Sequence, residues 1–131
     1  MKKAFSLILT LSLSAGLLAG CSGSGTEKRV VNVCSWGEYI DENLIYQFEE
    51  ETGIKVNYTT FDSNESMLAK MDGGVQYDVL IPSDYMIEKL IQEDRLAELD
   101  LSQIPNYANI DDSFKNLAYD PDNKYSVPYT C

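Results

Sequence analysis

Three short apolar segments, each followed by a stretch of helical periodicity, are the feature that most limits how this chain can fold. The segments lie at roughly 30–36, 54–61 and 77–81 and are rich in β-branched residues, which favour strands. Strands that alternate with helices in this way are typical of parallel βαβ units. The sequence therefore predicts an α/β fold, built as a three-layer αβα lobe with a mostly parallel sheet.

The stretches between these segments carry residues that commonly begin and end helices. We expect Asp41 to cap the first helix and Gly53 to end it. Asp62 and Glu65 have the spacing of a capping box, and Ser83 can cap the third helix. The apolar positions expected on the inner faces are Leu44, Ile45, Phe48, Met67, Leu68, Met71, Met86, Ile87, Leu90 and Ile91. Three amphipathic helices are therefore expected to pack on the sheet.

Beyond Asp100 the sequence indicates mostly irregular structure. Residues 104–107 are interpreted as a loop, residues 111–117 as a short helix and residues 125–129 as a strand. The chain then stops directly after the strand-like run. A strand-like run is an unusual place for a domain to end.

The N-terminus has the features of an export signal. Lys2 and Lys3 precede an apolar run, residues 4–18, that is shorter than the ~20 residues of a membrane span. Residues 18–21, Leu-Ala-Gly-Cys, resemble the bacterial lipobox, in which the cysteine becomes a lipidated N-terminus. The alternative is an ordinary signal peptide with a cysteine nearby. We predict a signal peptide over 1–20, lipid on Cys21 and a flexible tether over 21–29, which places the protein on the outer face of the cytoplasmic membrane or in the periplasmic space.

Two further cysteines leave a disulfide open. Cys34 and Cys131 form a pair only if the fold brings them together. Cys34 lies in an apolar segment, so we interpret it as a small buried hydrophobic residue instead.

The charge of the chain selects against some partners. The net charge is −11, and it becomes −13 when residues 1–20, which carry Lys2 and Lys3 but no acid, are removed. Nucleic acid is disfavoured as a partner because its phosphates require basic patches. A negative surface attracts cations, although solubility alone is the alternative explanation. The chain contains no histidine, so transition-metal sites and histidine-based catalysis are poorly supplied.

Candidate binding residues follow each predicted strand. In an open parallel sheet, ligands bind beyond the carboxyl ends of the strands. That rule selects the loops at 35–39, 62–65 and 82–85, which together hold aromatic rings, carboxylates and hydroxyl groups. Carboxylates and hydroxyls accept hydrogen bonds from an ammonium group, and aromatic faces attract its charge. The pattern favours an elongated organic cation as ligand.

Each candidate also has a structural alternative. Trp36 can be plain core, Tyr39 and Tyr85 can be half-buried surface aromatics, and Ser83 can act only as a helix cap. Asp78 lies inside an apolar strand, where it can tie the third strand to a neighbouring loop.

At these loops the chain resembles the spermidine/putrescine-binding proteins of bacterial ABC importers. The segments that carry the resemblance are residues 36–39, 48–56, 63–70, 77–85 and 126–129. The resemblance implies a two-lobed periplasmic-binding-protein fold, with the ligand in the cleft between the lobes. It implies that residues 30–131 are the truncated N-terminal lobe of such a fold. It implies polyamine contacts at Trp36, Gly37, Glu38, Tyr39, Ser83 and Tyr85. It also implies capture of polyamine outside the membrane and delivery to an ABC permease, without catalysis, cofactor or metal.

The chain departs from the family in two respects. The residue after the tryptophan is usually Thr or Ser in the family and is Gly37 here, so a hydroxyl contact is lost. Family members also run to well over twice this length, and their second lobe supplies most of the acids around the ligand. The alternatives are a solute-binding protein for another organic cation or a metal, or a surface lipoprotein with an adhesive or accessory role.

Overall fold

The computed structural model describes residues 29–130, which form a parallel sheet with helices around it. The strands are β1 (Val30–Trp36), β2 (Lys55–Phe61) and β3 (Val79–Ile81). The helices are α1 (Glu42–Thr52), α2 (Asn64–Asp72) and α3 (Asp84–Gln92). The strand order is β2-β1-β3, and both pairings are parallel. The predicted α/β class is confirmed.

The third strand is shorter than predicted because an aspartate replaces part of the backbone ladder. Asp78 Oδ2 accepts hydrogen bonds from the main-chain N and from Nδ2 of Asn32, at 2.7 and 2.9 Å. The Asp78 main-chain N in turn donates to the Asn32 carbonyl at 2.8 Å. Asp78 is therefore structural, but it ties the start of β3 to β1 and not to a neighbouring loop.

The first helix begins and ends where the sequence predicted. The Asp41 side chain accepts a hydrogen bond from the main-chain N of Asn43, as an N-cap residue does. Gly53 ends the helix with a φ of 68°, in the left-handed region that glycine adopts most easily.

The second and third helices depart from the predicted capping. Ser63 caps α2, and its hydroxyl accepts from the main-chain N of Ser66 at 3.1 Å, so the capping box is Ser63 with Ser66. The prediction of Asp62 with Glu65 was wrong because the helix begins one residue later. Ser83 occupies the N-cap position of α3, but its side chain makes no capping hydrogen bond.

The buried core lies on one face of the sheet. Its fully buried residues are Cys34, Phe61, Met67, Met86 and Leu90. The register pairs Trp36 with Phe61 and Cys34 with Leu80, and paired residues of parallel strands share a face. This face is covered by α2 and α3, which supply the methionines and Leu90.

Helix α1 contributes little to the core. None of its residues is buried, and Leu44 and Phe48, which the sequence predicts to face inwards, are 59% and 42% exposed. Right-handed crossovers place α1 on the opposite side of the sheet from α2, because β2 and β3 flank β1 on different sides. Leu44 and Phe48 of α1 therefore stay accessible on that side.

The region after α3 folds differently from the prediction. It contains three 3-10 helices, Leu101–Gln103, Pro105–Asn109 and Asp112–Phe114. Residues 104–107 are thus partly helical, and the predicted helix at 111–117 is a single short turn. Residues 125–129 form no strand, which corrects that prediction. The reason is Asp120, whose carboxylate takes the amide N–H groups of Lys124, Tyr125 and Ser126 that a strand would offer to a neighbour.

Several predictions fall outside the described residues. They concern the signal peptide at 1–20, the lipid on Cys21, residues 22–28 of the tether and Cys131. Cys34 is a free, fully buried thiol, as its apolar surroundings predicted. Between residues 29 and 130 no helix has both the length and the apolar character needed to cross a bilayer.

Candidate functional site

The three candidate loops begin at the same edge of the sheet. Trp36, the last residue of β1, pairs with Phe61 at the end of β2, and Ser35 pairs with Ile81 at the end of β3. We call residues 37–41, 62–63 and 82–83, which follow these strand ends, the edge loops. Parallel strands bring the carboxyl ends together, so the sequence-predicted site residues converge on one edge.

Trp36 connects the core to this edge. Its ring lies 4.6 Å from that of Phe61, which is 3% exposed, and 6.4 Å from that of Tyr39, which is 40% exposed (centroid to centroid). Trp36 itself is partly buried and packs against the core cluster. The tryptophan is therefore neither a plain core residue nor a free surface ring. Its ring contacts one buried aromatic residue, Phe61, and one exposed aromatic residue, Tyr39.

The first edge loop turns tightly around Glu38. The Tyr39 main-chain N donates to the Gly37 carbonyl at 2.6 Å, and Glu38 has a φ of 25°. Positive φ is uncommon for a residue with a Cβ atom, so the turn depends on surrounding contacts. Glu38 is exposed, which leaves its carboxylate accessible to a ligand. At Gly37 an added Cβ atom would meet no atom within 4 Å, so the position where the family usually carries a hydroxyl is open.

Tyr129 is a candidate site residue that was not predicted from the sequence as a ligand contact. Its ring stacks on that of Tyr39, with centroids 5.6 Å apart and planes at 26°, and its hydroxyl donates to the Tyr39 carbonyl. Glu38, Tyr39, Tyr129 and Thr130 line an open hollow of about 490 Å³. The sequence signal was the run 126–129, which carries part of the family resemblance but has a strand-like pattern.

Asn64 is the second residue that the sequence reasoning missed. It is 2% exposed and lies at the start of α2. Its Oδ1 accepts from the Ser83 main-chain N at 3.2 Å, and its Nδ2 donates to the Tyr85 hydroxyl at 2.8 Å. The Tyr85 hydroxyl donates onward to Glu65 Oε1 at 3.0 Å. One buried amide therefore holds Ser83 and Tyr85, the two predicted site residues at the start of α3.

The predicted residues form two groups at the edge. The first group consists of Trp36, Gly37, Glu38 and Tyr39, and the second of Ser83 and Tyr85. Tyr85 is 51% exposed and Ser83 is half-buried, so both can be reached from outside. Within residues 29–130 no hydrogen bond or ring contact joins the two groups directly.

The chemistry of the edge is acidic and aromatic. Glu38 and Glu65 supply carboxylates, and Tyr39, Tyr129 and Trp36 supply rings. In the described part of the chain, no group of three or more His, Cys, Asp or Glu side chains is arranged to hold a metal ion. The edge offers what an alkylammonium ligand needs, which is acceptors for the charge and flat apolar surface for the methylene groups.

Known proteins with similar sequences and structures come from several bacteria. The spermidine/putrescine-binding periplasmic protein of Escherichia coli K12 is 40% identical over 123 residues, which cover 89% of this chain and 35% of that protein. The substrate-binding protein PotD of a Streptococcus pneumoniae spermidine/putrescine ABC transporter has a structure that superposes with a TM-score of 0.73 at 51% identity, over 77% of this chain and 32% of that one.

A third similar protein is the TpPotD lipoprotein of Treponema pallidum, with a TM-score of 0.72 and 37% identity over the same shares of the two chains. The chain thus spans about a third of the length of these relatives. The sequence pattern of the bacterial extracellular solute-binding proteins matches residues 35–131, most of the chain. The chain belongs to the family of bacterial extracellular solute-binding proteins.

Proposed function

We propose that this chain contributes one side of a polyamine-binding cleft and serves a bacterial ABC importer. The observation that carries the proposal is the row of rings from Phe61 through Trp36 and Tyr39 to Tyr129, which ends beside the exposed carboxylate of Glu38. The names of the relatives, which bind spermidine and putrescine, support the same ligand class. Membership of a solute-binding family supports a role outside the cytoplasm.

The proposed contacts are of two kinds, those to the ammonium groups of the ligand and those to its methylene groups. Glu38 accepts from a terminal ammonium group, and Trp36 and Tyr39 present their faces to the ligand. The backbone of Gly37 offers polar contacts at the turn. Ser83 is available because its hydroxyl does not cap α3, and Tyr85 presents a hydroxyl that Asn64 holds in place.

Magnitudes favour a polyamine over a small inorganic cation. Each methylene group gains about 0.8 kcal/mol when it is buried against an apolar surface. A ring face adds about 0.5–2 kcal/mol of attraction for the ammonium charge, depending on desolvation. An aliphatic diamine gains from the burial of its methylene groups and from the attraction of its charge to the rings, whereas an inorganic ion gains only from its charge.

The only tryptophan of the chain gives a direct test. Titration with spermidine, with putrescine and with an uncharged diol of the same length as putrescine is followed by Trp36 fluorescence. We expect a saturable change with the two amines and none with the diol. A response to the diol that equals the response to the amines would contradict the proposal.

A chimera tests the function at the level of transport. Residues 30–130 replace the matching region of the Escherichia coli spermidine/putrescine-binding protein in a strain that lacks the native gene. We expect uptake of labelled spermidine, and we expect Glu38→Gln in the chimera to reduce it. The matched control is Glu51→Gln, because it removes an acid on α1, away from the edge loops. Uptake equal to an empty-vector strain would count against delivery to the permease.

Lipid anchoring at Cys21 is part of the proposal. Support comes from the Leu-Ala-Gly-Cys sequence and from the lipoprotein of Treponema pallidum among the similar structures. Labelling with radioactive palmitate should mark the parent chain and not Cys21→Ser. Label on the variant would show that the lipid is attached elsewhere or by another route.

We propose binding and delivery without catalysis. Catalytic serines usually need a base within hydrogen-bond reach, and the chain contains no histidine. Spermidine recovered unchanged after incubation with the purified chain is the expected result, and any turnover product detected by mass spectrometry would contradict it.

A further inference from the structure

We infer that Tyr129 is a positioning residue, which holds the turn at 37–39 in the geometry that presents Glu38 and Tyr39 to a ligand. The inference rests on the proposed function. It adds a residue that lies 90 positions away in the sequence and that touches the turn through both its ring and its hydroxyl.

The contact fixes the turn from outside. The Tyr39 carbonyl accepts from the Tyr129 hydroxyl, while the Tyr39 main-chain N donates to the Gly37 carbonyl at 2.6 Å. Both main-chain polar groups of Tyr39 are therefore engaged. The ring stacking, with 5.6 Å between centroids, also limits the side-chain rotamers of Tyr39.

The turn needs this support because its central residue is strained. Glu38 has a φ of 25°, a conformation that residues with a Cβ atom rarely adopt. Such conformations persist where neighbouring structure holds them, and they concentrate at ligand sites. Without an external contact, the turn is expected to relax and to move the Glu38 carboxylate.

Tyr129 can act as a support because its own segment is anchored. Asp120 is 4% exposed, and its carboxylate accepts from the main-chain N atoms of Lys124, Tyr125 and Ser126 at 3.0, 2.9 and 2.9 Å. The Ser126 hydroxyl donates to the same carboxylate at 2.9 Å. Pro128 restricts the backbone directly before Tyr129. Asp120 therefore holds the segment that carries Tyr129, and Tyr129 in turn holds Tyr39.

The test uses two substitutions at Tyr129 in the purified chain. Tyr129→Phe removes the hydroxyl and keeps the ring, and Tyr129→Leu removes both. Tyr46 on α1 is the matched control, because it is 61% exposed and Tyr129 is 60% exposed. Tyr46→Phe and Tyr46→Leu are made in parallel.

Two readouts are collected on every variant. Amide hydrogen exchange at Tyr39 reports how often the turn opens, without any ligand. Nuclear magnetic resonance titration with spermidine reports the dissociation constant, even where binding is weak. We expect Tyr129→Phe to speed exchange at Tyr39 and to raise the dissociation constant by about 2–10-fold, the value of one ordinary hydrogen bond. Tyr129→Leu should increase the exchange rate at Tyr39 and the dissociation constant more than Tyr129→Phe does. The Tyr46 variants should leave both quantities unchanged.

Two outcomes would overturn the role of Tyr129 as a positioning residue. Unchanged Tyr39 exchange in both Tyr129 variants would overturn the inference. Faster exchange with an unchanged dissociation constant would also overturn it, because the turn would then be held for stability alone. If the parent chain gives no measurable response to spermidine, the titration is repeated on the purified chimera that carries residues 30–130, and no response there would overturn the polyamine function. Exchange at Tyr39 decides independently whether Tyr129 holds the turn.

Discussion

Asn64 donates a hydrogen bond from its Nδ2 to the hydroxyl of Tyr85 at 2.8 Å, across 21 residues of sequence. The Oδ1 of the same amide accepts from the Ser83 main-chain N at 3.2 Å. Because Asn64 is almost fully buried, these bonds face little competition from water. The start of α2 and the start of α3 are therefore joined through one side chain, and the third edge loop takes its position from the second.

The first prediction concerns this bond. Asn64→Ala is expected to lower the free energy of unfolding by about 1–3 kcal/mol, because it leaves the Ser83 N–H without its acceptor. In a Tyr85→Phe background the cost should be smaller, with a coupling of at least about 0.5 kcal/mol. Urea denaturation of the four chains measures the cycle, and Asn57→Ala on the exposed part of β2 is the control. Additive losses would show that Asn64 and Tyr85 act independently.

The second prediction concerns Gly37. An added Cβ atom meets nothing within 4 Å, so Gly37→Ser and Gly37→Ala should both fold. We expect Gly37→Ser to tighten spermidine binding by about 2–10-fold through one new hydrogen bond, and Gly37→Ala to leave affinity near that of the parent chain. Titration calorimetry compares the three. Equal affinities for the Ser and Ala variants would mean that the hydroxyl does not reach the ligand.

The third prediction concerns acid stability. Burial raises the pKa of Asp120, but hydrogen bonds from Tyr125, Lys124 and Ser126 outweigh it and hold the pKa below its usual value. A carboxyl group whose pKa is lowered by folding stabilises the fold above its unfolded pKa of about 3.9. That contribution is lost as the pH falls through the lower, folded pKa.

Asp120→Asn should therefore cost about 1–3 kcal/mol of unfolding free energy at pH 7, because an NH2 group replaces one of the two acceptor oxygens and the negative charge is lost. The variant should also lose less stability than the parent chain between about pH 4 and pH 2. Thermal unfolding across this range measures both effects, with Asp122→Asn at an exposed neighbour as control. A parallel loss in the parent chain and in Asp120→Asn would assign the acid sensitivity to other carboxylates.

The fourth prediction concerns the asymmetric core. Met67 is fully buried, so Met67→Ala should lower the free energy of unfolding by about 2–5 kcal/mol. Leu44 on α1 is 59% exposed, and Leu44→Ala should change stability by about 0.5 kcal/mol or less. Chemical denaturation compares the two. A cost at Leu44 that matches Met67 would show that α1 buries its apolar face in solution.

The fifth prediction concerns affinity. This chain, without residues 1–21, should bind spermidine weakly, in the millimolar range or above. On an open sheet edge an ammonium group stays hydrated, so each ring contact adds about 0.5 kcal/mol and each exposed ion pair about 0–1 kcal/mol. A few such contacts hardly exceed the cost of association, about 4 kcal/mol or more. Calorimetry on the monomer measures it, and micromolar affinity would show that this edge alone is a sufficient site.

Local chemistry explains which parts of the fold were predictable. Asp41 and Gly53 mark the ends of α1 correctly, because a cap is satisfied by atoms within three or four residues. The convergence of Trp36 and Ser83 also followed from the predicted parallel strands, because the carboxyl ends of parallel strands meet at one edge. The error of one residue at Asp62 arose because Ser63 is an equally good cap and the end of β2 decides between them.

The sequence by itself determined the strand and helix segments and the edge at which the candidate residues meet, because alternation and caps are properties of neighbouring residues. Only the tertiary structure decided that residues 125–129 are not a strand, since the buried Asp120 carboxylate takes the amide N–H groups of Tyr125 and Ser126 that a neighbouring strand would need. It also decided the roles of Asn64 and Tyr129, whose contacts span 21 and 90 residues. Hydrogen bonds over such distances depend on how the elements pack, and nothing in the neighbouring sequence specifies that.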